Sequence, residues 1–255
     1  KFMKATLPSF FSFNQAIDLV RIGRDFDGGY LVSKSDMDKS DFLIGLGIND
    51  DWSFEEDFLN RKKVEVFAYD ASVSEKYFFK NFLKSIPQIY NIKTIWHWLR
   101  VSLKYRSFFS QNSVNHVQKF VGLNTENKFH CTFLDTLNKT NNQNIFLKID
   151  IEGSEYRFLD DIIKNEDRIT GMVIEFHDCD IHLEKIERFI SNSGLNLVHI
   201  HANNFAPIRL NDGLPLVLEL TFSKYANTSN SYTLPHKLDM PNNKNEPDLN
   251  LLIEN

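Results

Sequence analysis

From residue 42 onward, short apolar runs alternate with helix-like segments, and the runs end in glycine or in polar, mostly acidic residues. Residues 42–48 hold Gly45 and Gly47, 64–69 are closed by Asp70, Ile145–Ile149 by Asp150, and 172–176 by His177-Asp178. Between them lie segments with helical signals. Residues 53–61 open on Ser53, predicted as an N-cap with Glu56 completing a capping box. Residues 74–86 place Phe78, Phe79, Phe82 and Leu83 on one helical face, 154–163 form the next helix, and 182–191 stop before Gly194. Alternating strands and helices predict a parallel sheet with helices on both faces. Residues 197–201 and 215–222 are separated only by a loop, so they are expected to pair antiparallel. The predicted class is α/β and Rossmann-like: a mostly parallel seven-stranded sheet closed by an antiparallel hairpin.

The 255 residues suit one domain of this kind. Around the core, residues 1–40 read as a lead-in: a helical turn within 10–20, then a hairpin of 19–22 and 30–32 turning on Asp25-Phe26-Asp27-Gly28-Gly29. Residues 91–117 read as a helical insertion over the site, and 223–255 as an irregular surface tail. A net charge of −5 argues against a nucleic-acid partner, and the nearest basic stretch, 93–106, reads as amphipathic. No run approaches the roughly 18 to 20 apolar residues of a membrane span. Asn14, Gln15 and Asp18 interrupt the one early apolar stretch. Cys131 and Cys179 fit neither a disulfide framework nor a zinc spacing, and the expected compartment is the reducing cytoplasm.

Open α/β sheets bind ligands outside the carboxyl ends of their strands, so the polar residues there are the site candidates. Gly45 and Gly47 would let backbone approach a cofactor, with Asn49 beside them and Asp70 placed for ribose hydroxyls. Asp50, Asp51, Glu55 and Glu56 crowd the start of the following helix. A pyrophosphate needs that helix end free of anions. S-adenosylmethionine has no phosphate and carries a sulfonium and an ammonium, so acids suit it. For Asp51, Glu55 and Glu56 the helix-capping role is the preferred reading.

At the other strand ends, Asp150, Glu175 and His177 are expected to converge. Two carboxylates and an imidazole suit a divalent cation such as Mg²⁺ or Mn²⁺, which would activate an acceptor hydroxyl. The alternative is direct hydrogen bonding to acceptor or methionine. Asp150, His177 and His201 are the catalytic candidates, and Glu152, His201, Asn203 and Asn204 the acceptor-binding ones. His97, His116, His130 and His199 read as structural, and Glu219 needs a partner if buried.

These residues resemble the FkbM-type methyltransferases over residues 19–222. The most specific piece is Phe146-Leu-Lys-Ile-Asp150-Ile-Glu152-Gly-Ser-Glu155, followed by Val173-Ile-Glu175-Phe-His177. Asp27-Gly-Gly-Tyr30, Gly45-Leu-Gly47 with Ser53-Phe54-Glu55, and His201-Ala-Asn-Asn204 are similar to a subset that methylates bacterial surface polysaccharides. The resemblance implies a class I fold, S-adenosylmethionine as donor and O-methylation of a sugar, for instance a nucleotide-activated or capsular heptose. It adds Asp27 to the cofactor residues. The competing readings are a nicotinamide-dependent oxidoreductase and a non-catalytic scaffold.

Overall fold

The computed structural model describes residues 4–87, 90–141 and 143–254; the extreme ends of the predicted lead-in and tail, 1–3 and 255, lie outside them. The central sheet is built from β1 (Phe42–Leu46), β2 (Glu65–Tyr69), β3 (Val114–Val117), β4 (Ile145–Ile149), β5 (Ile169–Phe176), β6 (Asn196–Ala202) and β7 (Leu218–Ser223). Its spatial order is β3-β2-β1-β4-β5-β7-β6. The first five run parallel, and β7 is antiparallel to both β5 and β6. This is the mostly parallel, antiparallel-closed Rossmann-like sheet expected from the sequence.

Every residue of β1, β4 and β5 is buried, which is why these strands read as unbroken apolar runs. Side-chain alternation divides the core in two. Phe42, Ile44, Leu46, Leu147 and Ile174 point to one face, under Leu159, Ile162, Ile186 and Phe189. Those four come from α4 (Leu159–Lys164) and α5 (Cys179–Asn192). Leu43, Val66, Phe146 and Val173 point to the other, under Phe54, Phe58, Phe78, Val101 and Phe108. These belong to α1 (Ser53–Arg61), α2 (Glu75–Ser85) and α3 (Ile92–Phe109). Order reverses between β1 and β4, since β1 connects outward to β2 while β4 lies on its other side. In open α/β sheets the ligand crevice lies outside the carboxyl ends at such a switch point. Among the described residues no helix is long and apolar enough to cross a membrane.

Several local expectations differ from the fold. Ser53 is the first helical residue rather than the cap, because the Asp51 carboxylate accepts its N–H at 3.1 Å and caps α1 from two residues upstream. Of the predicted face of α2 only Phe78 is fully buried, while Phe79 and Leu83 are exposed. The insertion is shorter than read: Val114–Val117 is the edge strand pairing with β2. Residues 154–163 break into a 3-10 turn, Glu155–Arg157, and α4, because the Glu155 side chain turns inward to accept from the Gly153 and His177 N–H groups. Within 10–20 there is only the end of a 3-10 turn, Ser9–Phe11, followed by Gln15–Ala16 as a strand.

The hairpin of Leu19–Gly23 with Gly29–Ser33 forms as expected. The tail is more ordered than its composition suggests. Thr228–Ser229 pairs with Gln15–Ala16, and Asn250–Ile253 pairs in parallel with Lys4–Leu7.

Candidate functional site

A cavity of about 630 Å³ lies at the switch point, within the size range of small-molecule sites. Its floor is the turn after β1. Gly47 has φ +82°, and a Cβ there would stand 1.7 Å from the Asp150 carbonyl oxygen, so only glycine lets the β1 and β4 ends approach. Gly47 lines the cavity; Gly45 does not. A Cβ on Gly45 would meet Glu55 Oε1 at 2.2 Å, so its bareness makes room for a carboxyl rather than for a ligand.

Asp70 lines the cavity at the end of β2, but its oxygens are engaged. Oδ2 accepts from Ile48 N at 3.1 Å and Asn49 N at 2.9 Å, and Oδ1 from Ser72 N at 2.7 Å and Oγ at 2.6 Å. These four donors match the four lone-pair positions of a carboxylate. Burial alone would raise its pKa, yet the hydrogen bonds from Ser72, Asn49 and Ile48 outweigh it and hold it low. In this geometry Asp70 shapes the glycine turn, and a ribose would reach it by displacing the Ser72 hydroxyl. Asn49 lines the same wall at φ +42°.

The deep wall is a polar cluster. Donor atoms of Asp150, Glu175 and His177 all lie within 4.8 Å of one another. The Tyr30 hydroxyl stands 2.9 Å from Glu175 Oε2 and 3.2 Å from Asp150 Oδ2. Asn203 Nδ2 donates to Glu175 Oε1 at 2.9 Å. Lys148, facing Gly45 across the β1–β4 ladder, sends its ammonium to the Gly47 carbonyl at 2.7 Å and to Asp150 Oδ2 at 3.3 Å. His177 Nε2 lies 3.8 Å from Glu175, 3.9 Å from Asp150 and 3.4 Å from the exposed Glu152. Burial, then the charges of Asp150 and Glu219, pushes the Glu175 carboxyl up. Burial would lower the His177 pKa, but Glu155, Glu175 and Asp150 around the ring outweigh it and raise it. Tyr30 is raised well above its ordinary value, first by burial and then by Asp150 and Glu175.

The residues present fit a divalent cation. Two carboxylates and an imidazole converge from two strand ends, and oxygen-rich sets with one nitrogen suit Mg²⁺ or Mn²⁺. Two features bear on ligand binding more broadly. Glu55 Oε1 and Tyr69 Oη, on two residues that line the cavity, are buried without a hydrogen-bond partner among the described residues, and His177 Nδ1 has a 3.4 Å contact with the buried Glu155 Oε1. Asn49, Glu152 and Asp178 adopt left-handed backbone at the ends of β1, β4 and β5, a conformation non-glycine residues hold at a cost of order 1 kcal/mol each. Burial pushes the Glu55 carboxyl up to about 7, against the pull of Lys148.

Not every candidate reaches the cavity. His201 is buried behind it, Nδ1 at 2.9 Å from Glu219 and Nε2 at 3.1 Å from Asp248. Asn204 points into the tail, donating to the Asn243 and Pro247 carbonyls at 3.2 Å. Asp27 stands at the mouth, 3.4 Å from Arg24. Asn203 and Glu152 line the cavity as expected. Sequence reasoning singled out neither the role of Tyr30 nor the anchoring of Lys148. A tyrosine after Gly-Gly and a lysine inside an apolar strand were the available signals. Arg24, Lys119 and Phe120 also line the space.

No family model matches the chain, and none of the curated proteins matches it. Among solved structures it is similar to an rRNA methylase from Streptococcus thermophilus at 11% identity and TM-score 0.41, covering 75% of this chain and 93% of the other. A putative methyltransferase from Streptococcus mutans in complex with SAH gives 13% and 0.39, over 73% and 90%. A putative caffeoyl-CoA O-methyltransferase from Staphylococcus aureus gives 8% and 0.38, over 74% and 78%. Likeness at these scores carries nothing about activity.

Proposed function

We propose that the chain is an S-adenosylmethionine-dependent O-methyltransferase of FkbM type acting on a sugar hydroxyl, such as that of a nucleotide-activated or capsular heptose. The observation that carries this reading is the charge of the cavity. Eight carboxyl groups line it, Glu55 and Glu175 among them pushed up toward the neutral form, against Arg24, Lys119, Lys148 and the raised His177. The helix start beside it bears Asp51, Glu55 and Glu56, where a pyrophosphate would need free N–H groups. A cationic, phosphate-free donor meets attraction there, and a dinucleotide meets repulsion.

In this reading the adenosyl part lies along the Gly47–Asn49 turn, with Tyr69, Phe120 and Val121 as apolar wall. The sulfonium faces the Glu55 and Asp150 side. The acceptor hydroxyl sits against Asp150, Glu175 and His177. The methyl carbon leaves sulfur as the acceptor oxygen bonds to it, S-adenosylhomocysteine departs neutral at sulfur, and the hydroxyl proton passes to a carboxylate. Asp150 is the candidate acceptor of that proton, since burial pushes the Glu175 carboxyl up toward its protonated form. A divalent cation held by Asp150, Glu175 and His177 would lower the pKa of the hydroxyl. Tyr30 and Asn203 fix the Glu175 carboxylate, and Lys148 ties Asp150 to the glycine turn.

The test is methyl transfer from labelled donor to a panel of nucleotide sugars, with and without EDTA. Transfer to a sugar supports the reading, and EDTA sensitivity reversed by Mg²⁺ or Mn²⁺ adds the metal. Donor binding with transfer only to RNA or a small phenol would replace the acceptor class. Absence of donor binding would end the proposal.

A further inference from the structure

We infer that the hairpin of α2 and α3 is a docking surface for an anionic lipid bilayer. Residues 71–113 carry seven Lys or Arg against the single acid Glu75, whereas the rest of the chain carries 22 against 33. An acidic protein has thus gathered a positive charge on one supersecondary unit. The same unit holds much of the exposed large apolar surface: Tyr90 is 87% exposed and Trp96 63%, each far above a core residue.

The two properties are ordered on each helix. On α2, Phe78 and Ser85 face the core, while Phe79, Leu83 and Ile86 recur at i, i+4 and i+7 on an exposed stripe. Lys76, Lys80 and Lys84 form the next stripe round, and all three are exposed. On α3, Val101, Tyr105 and Phe108 face the core, while Ile92, Trp96 and Leu103 share an exposed side. Lys93, Arg100 and Lys104 flank it, also exposed. Neighbouring apolar and basic stripes, with Trp and Tyr between, are what a helix lying in the headgroup region requires.

The charge pattern selects among occupants. A second copy presenting the same basic face would meet like charge across a two-fold contact. RNA would match the charge, but exposed Leu83, Ile86, Ile92 and Leu103 offer aliphatic groups that bury in acyl chains and stack on no base. The hairpin also abuts the cavity: His97 Nε2 on α3 lies 3.4 Å from Asp50, which lines the mouth, and Trp52 packs on Tyr105. Docking would therefore hold the cavity mouth near the membrane surface.

The experiment is flotation of the full chain with phosphatidylcholine vesicles, alone or containing about one-third phosphatidylglycerol. The expected result is flotation with the anionic vesicles only, release by about 1 M salt, and a blue shift of tryptophan emission lost in Trp96→Phe. The paired exposed substitutions Lys80→Glu with Lys84→Glu should weaken partitioning on the order of tenfold. Trp96→Ser with Leu103→Ser should do the same while circular dichroism stays unchanged. No flotation on anionic vesicles overturns the inference. So does a gel shift with homopolymeric RNA sensitive to the same variants when vesicles are ignored, or a solution dimer broken by Trp96→Ser. Flotation needs neither donor nor acceptor, so its failure leaves the transferase proposal standing, and the reverse holds too.

Discussion

Two histidine–carboxylate groups sit side by side in the sheet and have different fates. Glu175 on β5 faces Glu219 on β7, which faces His201 on β6. On one side of that ladder, His177, Glu175 and Asp150 open into the cavity, and the His177 ring nitrogens stand 3.4 to 3.9 Å from the carboxylates around them. On the other side, His201 is closed in, with both ring nitrogens bonded to carboxylates and Asn242 Nδ2 holding Glu219 at 2.7 Å. The chemistry is alike. Satisfaction and access decide which group can act on a ligand and which can only hold the chain together.

The largest expected contrast is in turnover. Asp150→Asn should reduce methyl transfer by about 10³-fold or more, measured as kcat/KM, with little change in the denaturation midpoint. His201→Ala should do the opposite. It leaves the buried Glu219 and the half-buried Asp248 without their shared cation, costing about 3 kcal/mol in denaturant unfolding, while donor affinity of the folded fraction is kept. If His201→Ala removed turnover without loss of stability, the division between the two groups would be broken.

Gly47→Ala comes next. Positive φ and the backbone clash together should cost about 2–4 kcal/mol and remove donor binding. The matched Gly153→Ala, where an added Cβ meets nothing nearer than Asp178 Oδ2 at 3.8 Å, should cost only the backbone strain of its φ of +90°. Calorimetry and urea titration on the pair separate close approach from strain.

A pH series sharpens the contrast by isolating the His201 group. The carboxylates of Glu219 and Asp248 overcome burial and raise the His201 pKa well above its ordinary 6.5. A raised histidine gives stability that is complete below the unfolded value and is lost as pH rises through the folded one. The stability difference between the protein and His201→Gln should therefore be largest near pH 6 and shrink on the alkaline side. The smallest effect is expected for Asn204→Ala, about 1 kcal/mol from loosening the tail, with unchanged donor affinity.

The sheet was legible because β1, β4 and β5 are buried on both faces and so are written as pure apolar runs. The strand tips were legible for the same reason: Asp150 and His177 end such runs. Edge and tail were not. Val-Asn-His-Val at Val114–Val117 is too short and too polar to outweigh the helical periodicity before it, and only pairing with β2 makes it a strand. What closes off His201, Asp248, lies 47 residues away in a segment whose composition reads as loop. Tyr30 meets Asp150 across 120 residues, a contact no local pattern announces. The bareness of Gly45 serves the Glu55 carboxyl packed against it from the next helix, a contact the Gly-Leu-Gly pattern does not show.

On the proposed reading this crevice is charged for a cationic, phosphate-free donor. Titration calorimetry of the purified chain with S-adenosylmethionine, and separately with NADH, tests it most directly. The expected result is saturable binding of S-adenosylmethionine that weakens in Asp150→Asn, and no binding of NADH. Tight NADH binding with none of S-adenosylmethionine would contradict it.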